Sequence, residues 1–110
     1  RRLSAPPPQP EGTVRCVCIS DTHLQHRDLS LPPGDVLLHG GDVLLQSRAA
    51  DMESLRQLAD FSAWLQGLPF KHKVLVAGNH DGALVEIGAD GVRRLLPSVS
   101  YLVDEEICVA

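Results

Sequence analysis

The sequence of 110 residues is long enough for one domain or a part of one, and 44% of its residues are hydrophobic, which is sufficient for a buried core. The formal net charge of −4 argues against general affinity for nucleic acid or acidic membrane surfaces, and no apolar run approaches the roughly 18 residues of a membrane span. Because the sequence begins with Arg1 and its only methionine is Met52, we expect a chain trimmed at its N-terminus. Residues 1–13, with three consecutive prolines, predict an extended, structureless leader.

The rest of the sequence predicts a series of strands and helices. Residues 14–20 and 35–40 are apolar and rich in β-branched side chains, and they predict two buried strands joined by a polar loop. Leucine and phenylalanine recur every three or four residues over 51–66, which predicts a helix with Asp51 as N-cap and Gly67 at its end. A strand at 74–77, a weaker helix at 91–96 and short strands at 99–103 and 107–109 complete the prediction.

This order of elements predicts an α/β fold with a mostly parallel central sheet, because strand–helix–strand units place their strands in parallel. The carboxyl ends of parallel strands meet at one edge of the sheet, where functional loops lie. Polar residues follow three of the predicted strands at that edge: Asp21, His23, Asp42, Asn79 and His80. We therefore expect these five side chains, which are far apart in the sequence, to converge.

The three cysteines do not form a disulfide framework. Cys16 and Cys18 alternate with apolar residues and face the same side of one strand, which is a poor geometry for a bond between them. Together with Cys108 we expect them to be small, reduced core residues, which favours a cytoplasmic location. A Cys-x-Cys metal or redox site is the alternative, although no second cluster accompanies it.

The converging side chains have the chemistry of a metal site. Carboxylate, imidazole and amide oxygen are ligands that suit Mn²⁺, Fe, Zn²⁺ or Mg²⁺. Asp21 and His23 stand two residues apart and can reach one ion, whereas the two oxygens of Asp42 can bridge a pair of ions. Two ions about 3.5–4 Å apart can bind a phosphate and generate a hydroxide for its displacement. Each motif taken alone also fits an ordinary turn, and their repetition after three strands favours the metal site.

The motifs "DTH" at 21–23, "GGD" at 40–42 and "GNHD" at 78–81 resemble the first three signature blocks of the calcineurin-like metallophosphoesterase superfamily. The stretches "ISDTH", "LPPGDVLLHGGD", "WLQGLPFKHKVLVAGNHD" and "LLPSVSYLVD" resemble its small branch of metallophosphoesterase-domain proteins, which includes brain phosphodiesterases. The resemblance covers about residues 14–110. It implies the N-terminal half of a four-layer αββα sandwich, in which two sheets are flanked by helices.

The resemblance also implies a ligand set for two divalent ions. Asp21 and His23 would bind the first ion, Asp42 would bridge, and Asn79 would bind the second. The family completes its site with a later histidine and a terminal Gly-His-x-His block, whereas the last histidine of this sequence is His80. We therefore expect a domain over 14–110 that is C-terminally incomplete, with an apolar sheet face that the rest of the domain or a partner would cover.

Catalytic roles follow from the same resemblance. His80 would bind the phosphate together with Asn79 and act as general acid or transition-state stabiliser, with Asp81 orienting it. Two other histidines lie near the motifs. We expect His39 to be a strand-end residue with a backbone partner and His26 to be a solvated loop residue.

The leading functional hypothesis is a metal-dependent phosphoesterase that acts on a small phosphate ester, with cyclic nucleotides among the candidates. The rival is a catalytically inactive metal- or protein-binding module of the same fold. The absent distal histidines favour the rival for this chain, and the intact "GNHD" favours an enzyme for a longer protein. A nucleotide-binding α/β domain is a weaker third reading, because no glycine-rich phosphate fingerprint follows a strand.

Overall fold

The structure is a computed structural model that describes residues 7–45 and 50–108. Within these ranges the strands are β1 (Cys16–Ile19), β2 (Val36–His39), β3 (His72–Leu75) and β4 (Ser100–Tyr101). The α-helices are α1 (Met52–Gln66), α2 (Gly82–Ile87) and α3 (Ala89–Leu95), and a 3₁₀ turn occupies His26–Asp28. None of these helices has the length and apolarity to cross a lipid bilayer.

The four strands form one parallel sheet in the order β1-β2-β3-β4. Val17 stands opposite Leu37, and Leu75 stands between His39 and Tyr101. The prediction of an α/β fold with a mostly parallel sheet is therefore confirmed. Parallel pairing in sequence order aligns the carboxyl ends of neighbouring strands along one edge.

One face of the sheet packs against the helices and forms the core. Leu37 and Leu75 are almost completely buried there, and they belong to one apolar cluster with Leu58, Phe61 and Leu65 of α1. The cluster also contains buried side chains from α2 and α3. Burial of aliphatic surface at about 25 cal/mol per Å² makes this face the main source of stability.

The opposite face of the sheet is only partly buried. Val36 and Val74 are buried on it, whereas Cys16, Cys18 and Val76 are exposed. The prediction that the cysteines are core residues is thus wrong. Alternation along β1 points both thiols away from the helices, and β1 lies at the edge of the sheet. Cys108 is also exposed.

The main helix is capped at both ends by the chain itself. The Asp51 carboxylate accepts a hydrogen bond of 2.8 Å from the Ser54 N–H, so the predicted N-cap is confirmed. At the other end, the Lys73 ammonium donates to the Leu65 carbonyl over 2.5 Å. A cation at the carboxyl terminus of a helix complements its dipole. Helix α1 is therefore fixed against the sheet that carries the polar loops.

Other elements differ from the prediction at the C-terminal side. The predicted weak helix is α3, which begins at Ala89, and the short α2 before it was not predicted. Helix α2 is only 6 residues long, too short to show an apolar period in the sequence. Of the predicted last strand, residues 107–108 are not in a strand, and residue 109 lies outside the described residues.

The described part of the leader, residues 7–13, contains no helix or strand but is hydrogen-bonded to the domain. The Gln9 amide donates to the Asp35 carboxylate over 2.9 Å, and the Arg15 guanidinium donates to the Pro7 carbonyl. Residues 1–6 lie outside the described residues.

Candidate metal centre

Three polar loops meet at the carboxyl edge of the sheet. They follow β1, β2 and β3, and these strands pair in parallel in that order. The first loop holds Asp21 and His23, the second holds Asp42, and the third holds Asn79 and His80. The structure therefore brings together loops whose polar residues are far apart in the sequence.

Backbone hydrogen bonds extend the pairing of β1 and β2 into the first two loops. The Asp21 N–H donates to the Gly41 carbonyl over 2.8 Å, and the His23 N–H donates to the Asp42 carbonyl over 3.1 Å. Asp21, His23 and Asp42 have positive φ angles of 55°, 45° and 59°. Non-glycine residues rarely adopt this region, and such strained residues cluster at functional sites.

The third loop approaches the second loop at two glycines. A Cβ atom on Gly41 would lie 2.5 Å from the Gly78 nitrogen, and one on Gly78 would lie 2.2 Å from Oδ1 of Asp42. Both positions therefore require glycine. This approach lets the His80 N–H donate to Oδ1 of Asp42 over 2.8 Å. The bond fixes the Asp42 carboxylate and leaves its other oxygen for the two nearby imidazoles.

A cluster of three candidate ligand atoms lies at this point. Oδ2 of Asp42 is 3.3 Å from Nδ1 of His80 and 3.8 Å from Nε2 of His23. One ligand atom from each residue lies within 4.8 Å of the other two. Both nitrogens are buried, and among the described residues neither has a hydrogen-bond partner. Buried polar atoms are normally paired, so two imidazole nitrogens facing a carboxylate fit a divalent cation.

Asp21 and Asn79 lie at the margin of this cluster. Oδ1 of Asp21 is 3.8 Å from Nε2 of His23, and the Asp21 side chain is 60% exposed. Its other oxygen accepts a hydrogen bond of 2.6 Å from the Ser20 hydroxyl. Asn79 precedes His80 and is exposed. The roles of both residues as metal ligands stay predictions. His80, which the family resemblance assigned to phosphate binding, belongs to the cluster and is therefore also a candidate ligand.

Local hydrogen bonding keeps Asp42 ionised. The N–H donated by His80 is the main cause that lowers the pKa of the Asp42 carboxyl to about 2. At neutral pH the group is therefore an anion with one oxygen already bonded. An anionic oxygen with a fixed direction is the form that a hard divalent cation binds.

Comparison with curated proteins identifies the family of this chain. It is 36% identical over 102 residues to Metallophosphoesterase domain-containing protein 1 of Homo sapiens, and the alignment covers 89% of the chain. It is 32% identical over 111 residues to a UPF0046 protein of Caenorhabditis elegans, with 86% of the chain covered. This chain belongs to the metallophosphoesterase-domain family. No protein-family model matches the sequence.

The relatives are much longer than the chain that aligns with them. The aligned region makes up 29% of the human protein and 37% of the Caenorhabditis elegans protein. This metallophosphoesterase-domain chain therefore corresponds to about a third of each relative.

The buried carboxylate of Asp81 joins the second and third loops of this metallophosphoesterase-domain chain. It accepts hydrogen bonds from the N–H groups of Leu44 over 2.9 Å, Gly78 over 3.0 Å and Val43 over 3.2 Å. The family resemblance implied that Asp81 orients the His80 imidazole. The hydrogen bonds in the structure instead connect Asp81 to the backbone of the second and third loops. Three donors from two loops explain why this carboxyl group can be completely buried. A catalytic role of Asp81 stays a prediction.

Two buried histidines flank the candidate metal centre. Nδ1 of His39 accepts a hydrogen bond from the Gly41 N–H over 3.0 Å, which confirms the expected backbone partner. His26 was predicted to be solvated, and that prediction is wrong. It is 1% exposed, and its Nε2 lies 2.9 Å from Oδ2 of Asp60 on α1. The 3₁₀ turn folds His26 against Phe61, a contact that no local sequence pattern indicates.

We predict that stability falls in mild acid. Burial lowers the pKa of His39 to about 4, and burial also lowers the pKa of His26. The unfolded histidine titrates near 6.5, so below this pH the unfolded state binds protons that the folded state does not. The contribution of His39 is fully present above about pH 6.5 and is lost as the pH falls towards 4. The expected loss is about 3 kcal/mol for His39 over this window.

Urea unfolding in EDTA at pH 7.5, 6 and 4.5 measures this dependence. His39→Gln should flatten the change in unfolding free energy, while His72→Gln, at the start of β3, should retain it. An unfolding free energy that is constant between pH 7.5 and 4.5 in the unmodified chain would contradict the prediction.

Proposed function

We propose that this chain carries the metal centre of a metal-dependent phosphoesterase, which hydrolyses phosphodiesters or phosphomonoesters at a dinuclear site. The observation that carries the proposal is the cluster of His23, Asp42 and His80, with two buried imidazole nitrogens that face one carboxylate. Membership of the metallophosphoesterase-domain family supports it. When bound, divalent ions such as Mn²⁺, Fe, Zn²⁺ or Mg²⁺ supply activation of water and stabilisation of the phosphate charge.

The first ion would be held by His23 and Asp42, with Asp21 completing its ligands. Asp42 is the best-oriented of these ligands, because the His80 N–H already fixes one of its oxygens. Asp21 would join from the margin of the cluster, where its Oδ1 is 3.8 Å from the His23 nitrogen. The second ion would share Asp42 and take Asn79.

His80 is the proposed group that meets the substrate. Its side chain is 43% exposed while its Nδ1 faces Asp42, so the imidazole spans the cluster and solvent. From this position it would hold a phosphate oxygen and give a proton to the leaving-group oxygen. A cavity of about 210 Å³ beside Asp21 offers space for a small alcohol group; its lining residues are Ser20, Asp21, Thr22, Gln25, Asp28 and Leu29.

The proposed substrates are small phosphate esters, and cyclic nucleotides are among the candidates. The net charge of −4 and the carboxylates at the site disfavour nucleic acid and acidic membrane surfaces as partners. The exposed thiols of Cys16 and Cys18 fit a reducing compartment, so we propose a cytoplasmic protein.

We predict that the chain of 110 residues binds one divalent ion firmly and turns over little substrate. The second ion would have a shared carboxylate and one neutral amide, and no histidine follows His80 in the sequence. Two-metal hydrolysis needs both ions held with the nucleophile in line with the leaving group. Inductively coupled plasma mass spectrometry after desalting from Mn²⁺ should give one ion per chain. A nitrophenyl phosphodiester assay should give low turnover.

The matched comparison is the same chain extended with a distal histidine segment. Two ions and faster hydrolysis in the extended protein would support the enzyme. One ion or none in the extended protein would favour an inactive metal- or protein-binding module, which is the alternative function. Equal turnover by the two proteins would contradict the proposed need for distal histidines.

We also propose that the open sheet face is covered by a further part of the domain or by a partner. Val36 and Val74 are buried on this face, whereas Cys16, Cys18 and Val76 are exposed on it. Exposed apolar side chains next to buried ones are typical of a surface that another part of a protein covers. Thiol labelling tests the proposal. Cys16 and Cys18 should react rapidly in this chain and slowly in the extended protein or complex, and equally fast labelling in both would contradict it.

A further inference from the structure

His39 stands between the two loops that carry the candidate metal ligands. Its Nδ1 accepts the N–H of Gly41, the residue before Asp42, over 3.0 Å. Its Nε2 lies 3.0 Å from the hydroxyl of Thr22, the residue between Asp21 and His23. One imidazole ring therefore contacts both loops.

The two contacts fix the tautomer of the ring. A nitrogen that accepts an N–H hydrogen bond carries no proton, so the proton of the neutral imidazole lies on Nε2. The Nε2–H then donates to the Thr22 hydroxyl oxygen. Burial keeps the ring in this neutral form, because it lowers the pKa of His39 to about 4. Asp81, Asp21 and Asp42 oppose this shift, and burial prevails.

The His39 ring is buried and lies against an aromatic neighbour. It is 3% exposed, and its ring packs edge-on against Phe61 with a centroid separation of 5.4 Å. Burying an imidazole costs more desolvation free energy than burying an apolar side chain, and the hydrogen bonds of the two His39 nitrogens offset this cost. The loops that it joins contain the positive φ angles of Asp21 and Asp42, which need support from neighbouring structure.

We propose that His39 is a positioning residue that sets the spacing of the two ligand-bearing loops through its hydrogen bonds to Thr22 and Gly41. This inference rests on the proposed metal centre, since the spacing it controls is that between Asp21, His23 and Asp42. Outer-shell groups that orient ligands typically change metal affinity by about 10–100-fold when they are removed. Thr22→Val keeps the shape of the side chain and removes the acceptor, whereas Thr22→Ser keeps the hydroxyl.

The first measurement uses the metal-free chain, so its outcome does not depend on the proposed function. Hydrogen exchange reports on the Asp21 and His23 amides, which donate to Gly41 and Asp42. Thr22→Val should accelerate their exchange by about 10-fold or more, leave the amides of α1 unchanged, and be rescued by Thr22→Ser. The ¹⁵N spectrum of the His39 ring should show a proton on Nε2. Unchanged exchange in Thr22→Val, or a proton on Nδ1, would overturn the inference.

The second measurement is Mn²⁺ affinity by titration calorimetry, with folding checked by circular dichroism. Thr22→Val and His39→Leu should weaken binding by about 10–100-fold, and Thr22→Ser by less than about 3-fold. If His39→Leu does not fold, Thr22→Val decides. A folded Thr22→Val with wild-type Mn²⁺ affinity would overturn the inference. If the unmodified chain binds no Mn²⁺, the proposed metal centre fails, and the exchange data alone judge whether His39 spaces the loops.

Discussion

Asp42→Ala is expected to abolish hydrolysis and to weaken Mn²⁺ binding by more than about 100-fold, beyond the effect typical of an outer-shell residue. Asp42 is the residue on which the site converges: its Oδ1 accepts the His80 N–H over 2.8 Å, and its Oδ2 faces the imidazoles of His23 and His80. It is also the ligand that the two proposed ions would share. Calorimetry on this chain measures the affinity, and the nitrophenyl assay on the extended protein measures turnover.

Two matched variants separate ligand loss from damage to the loop. Asp42→Asn keeps an oxygen that can accept the His80 N–H but replaces the second oxygen by an amide nitrogen, so it should lose the ion while the loop stays ordered. Asp90→Ala removes an aspartate that is 86% exposed on α3, and it should change neither Mn²⁺ affinity nor turnover. Mn²⁺ binding by Asp42→Ala at wild-type affinity would contradict the metal centre.

His80→Ala is expected to lower kcat of the extended protein by about 10²–10⁴-fold, the range for loss of a general acid. Mn²⁺ affinity should stay nearly unchanged, because the proposed ligands remain and His80→Ala keeps the backbone N–H that bonds Oδ1 of Asp42. The structure sharpens this test, since Nδ1 of His80 is only 3.3 Å from Oδ2 of Asp42 and is buried with no hydrogen-bond partner in the described part of the chain. That nitrogen is equally close enough to serve as a ligand.

Parallel measurement of turnover and metal content therefore decides the role of His80. Loss of Mn²⁺ together with activity would contradict the general-acid role and assign His80 to the metal. Unchanged turnover would exclude both roles. His72→Ala, a histidine at the start of β3 and away from the loops, provides the control and should leave kcat and affinity unchanged.

Much of the fold was predictable from local patterns. Apolar runs mark β1, β2 and β3, and the spacing of leucines with Asp51 and Gly67 at its ends marks α1. The order of these elements predicts parallel strands, and parallel strands place the loops after them at one edge. The short α2 and the buried His26 were not predictable in this way, because each is determined by packing against residues distant in the sequence.

The sequence by itself determined the α/β class, the family resemblance and the set of polar residues at the strand ends, since apolar periodicity and motif spacing are local properties. Only the tertiary structure decided how those residues are used. Asp81 fixes backbone donors from Val43, Leu44 and Gly78, and His80 turns one nitrogen towards Asp42. The folded sheet decides which loops lie within hydrogen-bond distance of each other. Because a buried polar group must be paired, its partners are the donors that these neighbouring loops contain.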